Sequence, residues 1–134
     1  MKKFGVFAAT ALVATLAFSP ATEARQKYYG QFTSQYGLRG VGDETNPNRF
    51  DILQNAGSGG SDYWCAAGEY AIKKLGAPPT ARIYLVQPLG KGRLGRNSVG
   101  FSLNPNDVPG GQSAGGCTMS ITKVGQSWGA EHSR

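Results

Sequence analysis

The chain has 134 residues and a formal net charge of +6, with 14 Lys or Arg against 8 Asp or Glu. That length suits one domain with one modest core, and the charge bears on partners rather than fold, favouring anionic lipid, lipopolysaccharide, acidic glycan or nucleic acid. The 2 cysteines are Cys65 and Cys117, so neither stands near the N-terminus to carry a lipid.

Lys2 and Lys3 open the chain, followed by an uncharged apolar run from Phe4 to Phe18 and a break at Ser19-Pro20. Thr22-Glu23-Ala24 then presents small residues where a signal peptidase reads. This order describes a secretory signal peptide over residues 1–24, cleaved after Ala24, with Ala21 the weaker alternative. The apolar run is shorter than the ~20 residues that span a bilayer, so no transmembrane segment is expected after processing. Loss of Lys2, Lys3 and Glu23 leaves twelve basic and seven acidic residues, a net charge of +5. The expected address is the periplasm or the outside of the cell.

Residues 25–48 are expected to form a poorly ordered arm. Gln, Gly, Ser and Tyr dominate it, with few aliphatics, as in Tyr28-Tyr29-Gly30-Gln31-Phe32 and Gly40-Val41-Gly42. Such a composition buries little apolar surface against the entropy of ordering the chain.

Residues 49–126 are expected to form the folded domain, and residues 127–134 a tail. Arg49 to Asn55 alternates Phe50 and Ile52 with Asp51, which predicts a strand. After Gly57-Ser58-Gly59-Gly60, Ser61 or Asp62 is expected to cap a helix running to Leu75, stopped by Gly76 and Pro78-Pro79. At about 100° per residue, Trp64, Cys65, Ala67, Gly68, Ala71, Ile72 and Leu75 share one face. Asp62, Glu69 and Lys73 fall opposite as a solvated face, with Glu69 and Lys73 spaced for an i,i+4 pair. Three further strands are predicted over Ala81 to Gln87, Ser98 to Leu103 and Cys117 to Val124. The fold class is α+β, with one amphipathic helix packed on an antiparallel sheet of about four strands. In an oxidising compartment Cys65 and Cys117 are expected to form one disulfide across the helix–sheet seam. It would close a loop of about 52 residues and stabilise by ~4 kcal/mol. A metal site on Cys65, Cys117 and His132 is the weaker reading, since no fourth ligand can be named.

Gly90-Lys91-Gly92-Arg93-Leu94-Gly95 matches G-x-G-x-x-G. Asn97-Ser98-Val99-Gly100-Phe101, just beyond it, is strand-like, so no helix N-terminus would meet a pyrophosphate and no dinucleotide is expected. The loop is either a solvated hairpin or an anion-binding finger built from Lys91, Arg93 and Arg96. Tyr63 and Tyr70 lie on one line of the helix beside Lys74, where they either stack on a ligand or cover the edge of the core. Acid–base groups are sparse: Asp62 and Glu69 stand about two helical turns, ~10 Å, apart, and His132 lies near the chain end, where a base is seldom held in place. No catalytic residue, cofactor or metal is assigned.

The run Asp62-Tyr63-Trp64-Cys65-Ala66-Ala67-Gly68-Glu69-Tyr70-Ala71, with Leu75-Gly76-Ala77-Pro78 and Ala81-Arg82-Ile83-Tyr84, resembles a group of small exported hypothetical proteins of alphaproteobacteria. The likeness covers residues 50–103. It implies a periplasmic or secreted address and carries no activity with it. The expected function is non-catalytic binding of an anionic envelope ligand. The alternatives are a protein–protein module, such as a hydrolase inhibitor or an envelope-assembly subunit, and a small hydrolase.

Overall fold

The computed structural model describes residues 29–110 and 119–133. The expected signal peptide, the start of the arm, Cys117 and the side chain of His132 lie outside the described residues.

The strands are β1 (Phe32–Thr33), β2 (Arg39–Asp43), β3 (Asn46–Leu53), β4 (Arg82–Lys91), β5 (Asn97–Ser102) and β6 (Ser127–Gly129). Helix α1 (Gly60–Glu69) continues into a wider π turn over Tyr70–Lys74, and α2 (Ala130–Ser133) is a single terminal turn. All neighbouring strands are antiparallel, in the order β1-β2-β3-β5-β4-β6. β3 and β4 therefore run parallel, with α1 as their crossover and β5 inserted between them. Register shifts after Gly42 and on both sides of Gln87 add bulges, and bulges bend strands. The sheet curls into a half-barrel.

The expected sheet of about four strands is thus corrected to six. Two of the additions come from the stretch expected to be poorly ordered. β2 carries few aliphatics of its own, and its buried partner is supplied by the helix. The ring of Tyr70 lies where a Cβ on Gly40 would stand, 2.6 Å from Cδ2, and its hydroxyl lies 2.7 Å from where a Cβ on Gly42 would stand. The two glycines let an aromatic ring rest directly on the strand. Composition alone credits such a strand with nothing to bury.

The strand expected over Cys117 to Val124 is not formed by its described part. Residues 119–126 are irregular chain with bends at 121–123 and a turn at 124–125, and the edge strand forms further on, at Ser127–Gly129. The Ser120 hydroxyl accepts from Thr122 N–H at 3.1 Å, and Gln126 Oε1 accepts from Ser120 N–H at 3.0 Å. Such local side-chain bonds offer the backbone an alternative to a ladder. No disulfide is found among the described residues, which include Cys65, half-buried on α1, and exclude Cys117.

The N-terminal cap of α1 falls two residues before Ser61 and three before Asp62, the two expected. Gly59 is the N-cap, and Asp62, in the third helical position, accepts from its N–H at 2.8 Å. The main core packs α1 on one sheet face, joining Trp64, Ala67, Tyr70 and Ala71 to Phe50, Ile52, Ile83, Leu85, Val99 and Phe101. Phe50 stacks on Tyr70 with ring centroids 4.6 Å apart, and Trp64 meets Phe101 edge-on at 4.9 Å. The opposite face has a smaller cluster of Val41, Leu53 and Leu94. Leu94 comes from the β4–β5 loop, so that loop folds back over the sheet.

Candidate functional site

The basic glycine loop is divided by the fold. Arg93 turns inward: its Nε donates to Asp51 Oδ1 at 2.7 Å, and its Nη2 donates to the carbonyls of Val41 at 3.0 Å and Gly42 at 2.8 Å. Asp51 is wholly buried and takes further contacts from Arg49 Nη2 at 3.4 Å and the Ser98 hydroxyl at 3.3 Å. Strand alternation explains this. Phe50 and Ile52 face the helix, so Asp51 must face the other side, where the returning loop covers it. A buried carboxylate needs a cation, and Arg93 supplies it. Gly100 makes room, since a Cβ there would stand 2.5 Å from Arg49 Nη2. The expected three-residue finger is therefore not assembled. Lys91 is the exposed last residue of β4, opposite Asn97, and Arg96 is exposed at the far side of the loop.

Arg96 instead shares a groove with Arg39, a residue that the sequence pattern did not single out. Arg39, exposed at the start of β2, lines a groove of about 200 Å³ with Arg96, Gly37, Leu53, Gln54 and Asn55. None of those residues is acidic. β2 and the loop are brought together by the small cluster of Val41, Leu53 and Leu94. A marker existed in the sequence, since Arg39 begins a run with Gly40, Val41 and Gly42, but it needed β2 to be recognised as a strand.

Tyr63 and Tyr70, the expected surface stacking residues, are both only 1% exposed. They belong to the core: Tyr70 packs between Phe32 and Phe50 over Gly40 and Gly42, and the Tyr63 hydroxyl accepts from Asn55 N–H at 3.0 Å. The Tyr70 hydroxyl donates to Gly30 O at 2.7 Å, and burial pushes its pKa up to about 12. The exposed large aromatics among the described residues are Tyr29 and Tyr36, in the arm.

Glu69 is also corrected: it is 2% exposed, not solvated. Its carboxylate accepts from Gln35 N–H at 3.0 and 3.2 Å and from Lys73 Nζ at 3.3 Å, so the expected i,i+4 pair is present. Asp62 caps the start of α1 while Glu69 receives the β1–β2 turn near its end, and the two serve separate structural tasks. The glycine run ends β4 and its residues 92–96 join β4 to β5, with no helix after them.

No protein-family model, no curated protein and no solved structure matches this chain. The geometry of the molecule is therefore what bears on its function.

A larger cavity, of about 320 Å³, lies between the end of α1 and the β2–β3 hairpin. Tyr29, Pro47, Tyr70 and Leu75 form its apolar walls, and Asp43, Arg49 and Lys74 supply its charges. The π turn at the end of α1 widens the helix where Tyr70, Lys74 and Leu75 reach it, with Leu75 N–H bonded to Tyr70 O at 3.0 Å. Among the described residues no helix is long and apolar enough to cross a membrane.

Proposed function

We propose that this protein is a non-catalytic exported domain that binds an anionic ligand of the cell envelope, such as lipopolysaccharide, anionic lipid or acidic glycan, through the Arg39–Arg96 groove. One observation carries the reading: two exposed guanidinium groups line a groove that no carboxylate lines. Like charges gathered on a surface repel, and an anion between them relieves that repulsion. Guanidinium groups also match phosphate and carboxylate oxygens in fork geometry. The net charge of +5 left after loss of residues 1–24 adds long-range attraction for the same class of ligand.

The test is binding to lipopolysaccharide and to anionic vesicles across a salt series, with Arg39→Gln/Arg96→Gln beside the parent protein. Affinity should fall with salt, and the double substitution should weaken it roughly tenfold or more, at about 1 kcal/mol per cation at an anionic surface. Binding that ignores both salt and the substitution refutes the proposal. A stoichiometric, salt-insensitive protein partner would favour the protein–protein reading instead.

A further inference from the structure

The 320 Å³ cavity at the end of α1 is separate from that groove and shares no lining residue with it. We propose that it is a second binding site, for a small monocarboxylic acid with a single aromatic body. The apolar part would lie against Tyr29, Pro47, Tyr70 and Leu75, and the carboxylate would meet Lys74, with Arg49 adding positive charge to the wall.

Size sets the first limit. The cavity stands at the low end of the roughly 300–1,000 Å³ typical of small-molecule sites, which suits one ring with a short acid arm and not a polymer. Tyrosine faces and a proline favour a flat ring over a flexible chain.

Charge sets the second limit. Arg49 and Lys74 contribute two positive charges and Asp43 one negative. Asp43 Oδ1 is engaged by Thr45 through its N–H at 2.9 Å and its hydroxyl at 2.7 Å, and Asp43 Oδ2 lies 4.0 Å from Arg93 Nε. The remaining balance attracts one negative charge, while the Asp43 carboxylate disfavours a dianion.

The third observation concerns which cation can touch a ligand. Arg49 Nε is buried and has no hydrogen-bond partner, although Nη2 of the same guanidinium reaches Asp51. Because Nε has no exposed surface and Nη2 serves Asp51, the ligand's carboxylate would meet the exposed Lys74 ammonium, with Arg49 adding positive charge to the wall. The Tyr70 hydroxyl already donates to Gly30 O, so its oxygen is placed to accept rather than donate.

The experiment is a ¹⁵N-NMR titration of the protein with phenylacetate, its neutral amide phenylacetamide, and phenethylamine. Phenylacetate should shift the amides of Gly30, Gly42 and Leu75, and bind roughly tenfold more tightly than the amide, as expected for a charge-assisted pair. Phenethylamine should bind no better than the amide. Lys74→Gln, an exposed and fold-neutral variant, should remove most of that preference. Arg49→Gln, which also loses the contact to Asp51, should weaken phenylacetate severalfold. Arg39→Gln/Arg96→Gln should leave phenylacetate binding intact, so this site and the envelope-ligand reading stand or fall separately. Equal binding of acid and amide, shifts only at the Arg39–Arg96 groove, or no shift at millimolar phenylacetate would each overturn the proposal.

Discussion

Arg93 Nε lies 2.7 Å from Oδ1 of Asp51, a carboxylate with no exposed surface. This contact turns the most cationic-looking loop of the sequence into a structural clasp, because it pins the β4–β5 loop over β2 and β3. Breaking a buried pair from one side costs about 3–5 kcal/mol, and the longer Arg49–Asp51 contact at 3.4 Å keeps the cost of losing Arg93 at the low end of that range. Arg93→Ala should therefore lower stability by about 3 kcal/mol, whereas Arg96→Ala, on the surface, should change it by less than about 0.5 kcal/mol. Urea unfolding of the two variants makes the comparison. Equal midpoints would remove the clasp.

Gly42 and Tyr70 are also fitted to each other. A methyl at Gly42 would meet the Tyr70 hydroxyl at 2.7 Å, whereas one at Gly40 would meet the ring itself. Overpacking of this kind costs about 1–3 kcal/mol. Gly42→Ala should be partly relieved in a Tyr70→Phe background, while Gly40→Ala should not. A double-mutant cycle for each pair reads this out, and matching coupling energies would contradict the packing described.

Tyr70 should also give the protein a limit at alkaline pH. Burial holds the phenol protonated up to about 12, against 10.0 for an ordinary tyrosine. Between those values the unfolded chain gives up the proton and the folded one keeps it, so stability is complete below pH ~10 and declines as pH rises towards ~12. The loss amounts to at most about 3 kcal/mol, for two units at 1.36 kcal/mol each. Tyr70→Phe should flatten this part of the pH profile. Superimposable profiles for the two proteins would show that Tyr70 titrates normally.

Glu69 anchors the β1–β2 turn to the helix by accepting from Gln35 N–H. Glu69→Ala leaves that amide and Lys73 without their acceptor and should cost about 1–3 kcal/mol. Glu69→Gln retains an acceptor oxygen and should cost less. Hydrogen exchange at Gln35 provides a local reading: faster exchange in the alanine variant is expected, and unchanged exchange would dissociate the turn from the helix.

Local pattern made part of this architecture legible. Alternation at Phe50-Asp51-Ile52 and Val99-Gly100-Phe101 marked β3 and β5, and the 3.6-residue period with the Gly76 stop marked the helix. The i,i+4 spacing of Glu69 and Lys73 gave their ion pair. β2 was hidden because its apolar contact belongs to Tyr70, far along the chain, and β6 because Ser120 and Thr122 mimic a strand's alternation while bonding locally. The candidate site was less legible still. Of Lys91, Arg93 and Arg96, only Arg96 reaches the groove, and its companion Arg39 lay in a stretch that composition assigned to an arm.

By itself, the sequence determined the residue periodicities and the net positive charge, since both depend only on neighbouring residues and on counting. Tertiary structure alone decided which cations serve the outside. A buried Asp51 creates a demand for one guanidinium, and only the folded chain reveals that Arg93 meets it while Arg39 and Arg96 stay at the surface. Solvation is the reason: a charge's role depends on whether water or a counter-charge surrounds it, and that is set by distant parts of the chain.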